Sequence, residues 1–209
     1  MEFKHVVENR RAVNFFDPDK QVPDSMLKQM IEMAALSPSS FNLQPWNILV
    51  VKTPDDKARL RKLAFDQPKV TEAPVVLILL ADRLGWQGNH PTFEKNFSEM
   101  QKAGSITPDK REWLENVTQN LYGASDSQQM AFACKNTGFF SMSLMLAAKS
   151  LGLDTHPMDG FDHEAVRAAF NIPDQYWIPV LLAVGYFNTT MTMGPKKWRK
   201  TYDEIVVQF

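Results

Sequence analysis

Two segments concentrate side chains of the kinds that grip an anion or a heterocycle. Asn9-Arg10-Arg11-Ala12-Val13-Asn14-Phe15-Phe16-Asp17 sets two guanidiniums just ahead of an extended stretch. A guanidinium is a planar fork of donors that matches a phosphate two bonds at a time. Read alone, the pair is a solvated basic turn. Ser37-Pro38-Ser39-Ser40-Phe41-Asn42-Leu43-Gln44-Pro45-Trp46 is denser, with hydroxyls and amides directly after a helical pattern and before an apolar run. Polar groups aimed between two apolar elements need partners for their donors, and a heterocycle rich in hydrogen-bonding atoms supplies them.

Several other chemistries are disfavoured. Neither Gly-x-Gly-x-x-Gly nor Gly-x-x-x-x-Gly-Lys-Ser/Thr occurs, so a nucleotide cofactor needs another cradle. His5, His90, His156 and His163 have no metal-ligand spacing with one another or with Cys134, and they read as surface or capping residues with no metal assigned. Gly-x-Ser-x-Gly is missing, and Cys134 lies in an apolar helical stretch as a small buried thiol, which disfavours hydrolysis through a covalent triad. The run Lys196 to Lys200 is too short a basic patch, in a chain of net charge −1, to argue for nucleic acid.

The elements that must position these groups follow from periodicity. Met26, Leu27, Met30, Ile31 and Ala34 recur at helical spacing after Pro23-Asp24, predicting an amphipathic helix that ends near Ser37-Pro38. Ile48 to Val51 reads as a buried strand, Asp55 to Phe65 as a helix, Val75 to Ala81 as a strand apolar on both faces, and Ile178 to Phe187 as a third apolar strand. Residues 83–125 change character, with glycines and prolines among scattered aromatics and a helix only from Asp109 to Tyr122, and read as a lid or excursion. Asp126 to Leu151, stopped by Gly152, reads as a long helix buried on most sides, at the centre of the fold or of a dimer. His163 to Phe170 is a further helix, and Glu204 to Phe209 a tail with strand propensity. Strands and helices without regular alternation predict an α+β class.

With 209 residues, 44% of them hydrophobic, the chain suits a single domain over 1–209. One cysteine excludes an intrachain disulfide and fits the cytoplasm; the first residues lack a signal peptide's apolar stretch, and no run is long enough to span a bilayer.

The Arg-Arg segment followed at this distance by Ser-Pro-Ser-Ser-x-Asn-x-Gln-Pro-Trp resembles the nitroreductase family of FMN enzymes, and later pieces fall in the expected order. Gly152-Leu153-Asp154-Thr155-His156-Pro157-Met158-Asp159-Gly160-Phe161 resembles that family's Gly-Leu-x-x-x-Pro-x-x-Gly-Phe turn. Ile178-Pro179-Val180 through Gly185-Tyr186 is similar to its final core strand, and Lys197-Trp198-Arg199 to its C-terminal Lys-x-Arg pair.

The resemblance implies a central mixed sheet flanked by helices, in an intertwined homodimer with two FMN sites at the interface. It implies that Arg10 and Arg199 hold the FMN phosphate with help from Lys197, near Arg11 and Ala12. Asn14 and Lys69 would face the pyrimidine side of the ring. Ser39, Asn42 and Gln44, with Pro38 and Ser40 beside them, would come from the second subunit. Pro157 and Met158 would lead to the backbone amides of Asp159 and Gly160 at the flavin N5 and O4 edge. Either Asp66 or Gln67 would meet the flavin, and Gln67 suits better because a carboxylate repels the anionic reduced ring. Trp86, Phe93, Phe97, Trp113 and Tyr122 either stack on an acceptor or simply pack the lid. The implied activity is ping-pong transfer of electrons from NAD(P)H to a nitroaromatic, a quinone or a similar small acceptor, carried by the flavin N5 without a catalytic side chain. Rival readings are a family member specialised for desaturation or dehalogenation, and a flavin carrier or regulator with little turnover.

Overall fold

A computed structural model describes residues 2–208. In chain order its elements are α1 (Phe3–Asn9), α2 (Asp24–Ala34), β1 (Trp46–Val51), α3 (Pro54–Leu63), α4 (Lys69–Glu72), β2 (Val75–Asp82), α5 (Pro91–Lys102), α6 (Arg111–Tyr122), α7 (Asp126–Ser150), β3 (Asp154–Met158), α8 (His163–Ala169), β4 (Tyr176–Trp177), β5 (Leu181–Gly185) and α9 (Tyr202–Ile205). Four strands lie in the order β1-β2-β5-β3, and β4 pairs with the far end of β2. These ladders are antiparallel, and a parallel contribution comes from an isolated bridge between Ala12 and Thr155.

Strand alternation sorts the core into two layers. Along β2, Val76, Ile78 and Leu80 face one cluster while Val75, Leu77 and Leu79 face the other; β5 divides likewise, Leu181 and Ala183 from Leu182 and Val184. Successive side chains point to opposite faces, so a sheet covered on both sides requires strands that are apolar throughout. The first layer meets Leu60 of α3, Val70 of α4 and Val166 of α8. The second meets Leu27, Met30 and Ala34 of α2 and Phe140, Leu144, Ala147 and Ala148 of α7, with Phe140 stacked on Trp46 at 5.0 Å.

The long helix begins where the Ser125 hydroxyl accepts from Gln128 N–H and ends before Gly152, whose φ of 81° is the left-handed conformation glycine adopts freely. Its buried residues form one stripe, from Phe132 through Asn136, Phe140 and Leu144 to Ala148. The expectation of burial on most sides is therefore too broad for the chain by itself, because Phe139 and Met142 emerge on its open face.

Other expectations shift for local reasons. The α2 pattern stops at Ala34, and Ala35 to Ser37 fold into a turn. The strand expected from Ile178 begins at Leu181, and Tyr176–Trp177 forms the separate β4. Helix α5 is additional: Pro91 occupies its first position, His90 caps it by accepting from Thr92 N–H at 3.2 Å, and Phe93, Asn96 and Phe97 form its buried stripe. Helix α1 and strand β3 are likewise additional. In the tail expected as strand, Tyr202–Ile205 is helical, because Thr201 and Glu204 form a capping box that outweighs the β propensity of Val206 and Val207; Phe209 lies outside the described residues. The excursion packs through Trp86, Phe93, Phe97 and Leu114 around Phe132, and Tyr122 stacks on Phe132 at 4.4 Å. Four of its five aromatics are thus packing residues, whereas Trp113 is 53% exposed.

Candidate functional site

A cavity of about 420 Å³ lies where the two ends of the chain meet. Arg10, Arg11, Ala12 and Asn14 line it from the segment after α1, His156 from β3, and Lys197 and Arg199 from the tail. The tail is held there by backbone bonds of Asp17 N–H to Tyr186 O and Asn188 N–H to Phe15 O, and by Arg11 Nη2, which donates to the Gly194 and Pro195 carbonyls at 2.8 Å each. Arg11 therefore acts partly as a strut. Arg199 bonds only the carbonyls of Lys197 and Trp198 among the described residues. Among those residues no ion pair engages Arg10, Arg11, Lys197 or Arg199. Burial, then Arg199, then Arg11 pull the Arg10 guanidinium below its ordinary pKa. Cations crowded on one cavity without carboxylate partners repel one another until an anion joins them.

Lys69 opens α4, and burial, opposed by Glu72, pulls its ammonium below the usual lysine value. Lys69 Nζ lies 3.3 Å from His156 Nε2 and 3.4 Å from Gln67 Oε1. Gln67 Nε2 donates to the Gly160 carbonyl at 2.8 Å, whereas Asp66 turns outward to Arg61 Nε at 2.7 Å. The two candidates of the sequence are thus separated: the amide faces the turn after β3 and the carboxylate does not. Pro157 and Met158 are strand residues opposite Leu182 and Leu181, with the Met158 side chain in the core. Beyond them Asp159 and Gly160 are exposed, and neither backbone N–H donates to another described residue.

Pro38, Ser39, Ser40, Asn42 and Gln44 do not line this cavity. They form a second cluster around the 3-10 turn Ser40–Asn42, in which Phe41, Asn42 and Gln44 all have positive φ. Such strain persists only where neighbours hold it. Asn136 Oδ1 accepts from Ser40 N–H at 3.0 Å, Asn96 Oδ1 accepts from Asn42 Nδ2 at 2.9 Å, Lys135 Nζ donates to Ser40 Oγ at 2.9 Å, and Ser39 Oγ accepts from Gln44 N–H at 3.0 Å. One chain therefore brings together Arg10, Asn14, Lys197 and Arg199, with Gln67, Lys69 and Gly160 joined through His156, and leaves the serine-asparagine turn apart.

His156 is the residue that sequence reasoning missed as a site member. Its place directly before Pro157-Met158 in the glycine-bounded turn was the available signal, but a lone histidine is more often a surface or capping group.

A sheet buried on both faces, with a cavity at its edge where five cations outnumber the single carboxylate of Glu8, defines a protein suited to hold a small phosphate-bearing ligand. The chain matches the profile of the Nitroreductase family over residues 7–186. It is 32% identical to a Bacillus subtilis protein named as an NAD(P)H nitroreductase, MhqN, with 98% of each chain covered. It is 33% identical to a Thermus thermophilus protein named NADH dehydrogenase, covering 89% of this chain and 87% of that one. Its fold superposes with a TM-score of 0.86, at 26% identity and over 100% and 97% of the two chains, on an Exiguobacterium sibiricum protein solved as a nitroreductase in complex with FMN. The chain belongs to the nitroreductase family.

Proposed function

We propose that this protein is an FMN-dependent oxidoreductase that passes electrons from NAD(P)H to a small acceptor such as a nitroaromatic or a quinone, as a cytoplasmic homodimer. The observation that carries the reading is the convergence of Arg10, Lys197 and Arg199, from opposite ends of the chain, on one cavity without a carboxylate partner. That donor set fits a terminal phosphate. The unengaged N–H groups of Asp159 and Gly160 fit the acceptor edge of an isoalloxazine ring.

Bound FMN supplies two-electron transfer from NAD(P)H to the acceptor in two half-reactions. Arg10, Arg199 and Lys197 would hold the phosphate, Asn14 and Lys69 would face the pyrimidine side of the ring, and the Lys69 ammonium would supply positive charge there. Gln67 fixes the Gly160 carbonyl and so aims the adjacent amides. No side chain is assigned a bond-making role, and donor and acceptor take the same place in turn, which gives ping-pong kinetics.

The second subunit supplies Ser39, Ser40, Asn42 and Gln44, with Pro38 shaping the turn. Two features support this assignment: the cluster is preformed yet apart from its own chain's cavity, and the open face of α7 carries exposed Phe139 and Met142. An exposed apolar patch on a central helix suits a symmetric contact between copies. Within the single domain the excursion over 83–125 packs beside the serine-asparagine turn, Asn96 accepting from Asn42, so it would accompany that turn to the partner's site, with Trp113 as its exposed aromatic.

The test is the cofactor itself. Denatured holoprotein should release FMN and not FAD on chromatography, and recovery of FAD, or of no flavin after reconstitution, would overturn the reading.

A further inference from the structure

The tautomer of His156 follows from its partners. Nδ1 lies 2.8 Å from the Val13 carbonyl oxygen, and because a carbonyl only accepts, Nδ1 carries the proton and donates. Nε2 is then a lone pair 3.3 Å from Lys69 Nζ, and because an ammonium only donates, Nε2 accepts. Both bonds require a neutral ring. Both anchors belong to the frame: Val13 is buried beside the Ala12–Thr155 bridge, and His156 sits on β3 opposite Ala183.

We infer that His156 is a positioning residue for Lys69: the neutral imidazole, anchored on Val13, holds the lysine ammonium at the edge of the cofactor cavity and sets an acid limit on the site. This rests on the FMN reading of the cavity, because the positioned cation matters through the ligand it faces.

The surroundings favour the neutral ring. The titratable groups on the shared cavity are Glu8, Arg10, Arg11, Lys196, Lys197 and Arg199, five cations against one carboxylate. Lys69 faces the ring from α4, with Glu72 behind it. Burial and then the Lys69 charge push the His156 pKa down, against the Val13 bond, which pushes it up. Protonation sets an N–H against the ammonium, so the Lys69 contact breaks as the ring charges.

Nitrogen-15 NMR of the histidines in the purified full chain tests the pairing whether or not flavin is bound. The expected result is an Nδ1–H tautomer for His156 whose titration midpoint lies below the ordinary 6.5 and moves upward in Lys69→Met. An Nε2–H tautomer, or an ordinary midpoint indifferent to Lys69→Met, overturns the inference. FMN affinity by fluorescence quenching at pH 7.5 and 5.5 tests the consequence. Wild type should lose affinity on acidification more steeply than His156→Gln, which keeps a neutral acceptor and cannot be protonated. His156→Phe should bind roughly tenfold more weakly at pH 7.5, the scale of one hydrogen bond to a charged group. Equal pH slopes in wild type and His156→Gln, with unweakened binding by His156→Phe, also overturn it. If no form binds FMN, the functional reading fails, while the NMR arm still decides the pairing.

Discussion

Gln67 Nε2 donates to the Gly160 carbonyl at 2.8 Å and to the Ala64 carbonyl at 3.1 Å, tying the end of α3 to the turn after β3. Those two segments meet nowhere in sequence. The bond fixes a turn whose own N–H groups are left free for a ligand, so its value should appear in binding more than in folding. Gln67→Ala is expected to weaken FMN binding roughly five- to tenfold, the scale of one neutral hydrogen bond, with a nearly unchanged thermal midpoint. Fluorescence titration beside a thermal melt checks both.

Arg199 is exposed and bonded only to its immediate neighbours, so removing it disturbs little of the fold. Arg199→Ala should cost about 1.5 to 3 kcal/mol of FMN binding, or roughly ten- to a hundredfold in affinity. Unchanged affinity would remove Arg199 from the site.

How much of this was legible in the sequence depends on where the signal resides. The all-apolar runs of β2 and β5 declared a sheet covered on both faces, and the motifs around Arg10 and Lys197 named residues that line one cavity, whereas the motif around Ser39 lies apart from it. Helix α5 escaped because Pro91 reads as a breaker, although proline at the first helical position starts a helix. Strand β3 was hidden by Pro157 and by its short, polar sequence, since its pairing with β5 is a tertiary fact. The tail looked like strand because Val206 and Val207 outweighed the capping box that Thr201 and Glu204 form just upstream. The preference for Gln67 over Asp66 was legible from charge, but what parts them was not: Arg61, five residues back, draws the carboxylate away where Phe65 and Asp66 turn the chain at positive φ.

Acid should weaken the folded state through His156. Its folded pKa lies below the ordinary 6.5, so as pH falls through about 6.5 the unfolded chain takes up a proton that the folded chain refuses. Stability contributed by the neutral ring is thus present above 6.5 and is lost on acidification toward the lowered folded value. Urea denaturation of wild type and His156→Gln at pH 7.5 and 5.5 measures this, and wild type should lose more stability than the variant between the two.

Asn136 is fully buried on α7, accepting from Ser40 N–H at 3.0 Å and donating to the Phe132 carbonyl at 2.7 Å. Asn136→Leu leaves the Ser40 amide without that partner and should destabilise the fold by about 1 to 3 kcal/mol. Chemical denaturation reads the loss, and a neutral result would show that the turn carrying Asn42 is held by Asn96 and Lys135 alone.

The most direct test of the flavin oxidoreductase reading is the visible absorbance of the FMN-loaded protein under anaerobic conditions as NADH or NADPH is added. The account predicts that at least one of the two bleaches the flavin band and that a quinone or nitroaromatic then restores it. A flavin band that persists with both donors would contradict the account, leaving a protein that holds FMN without turning it over.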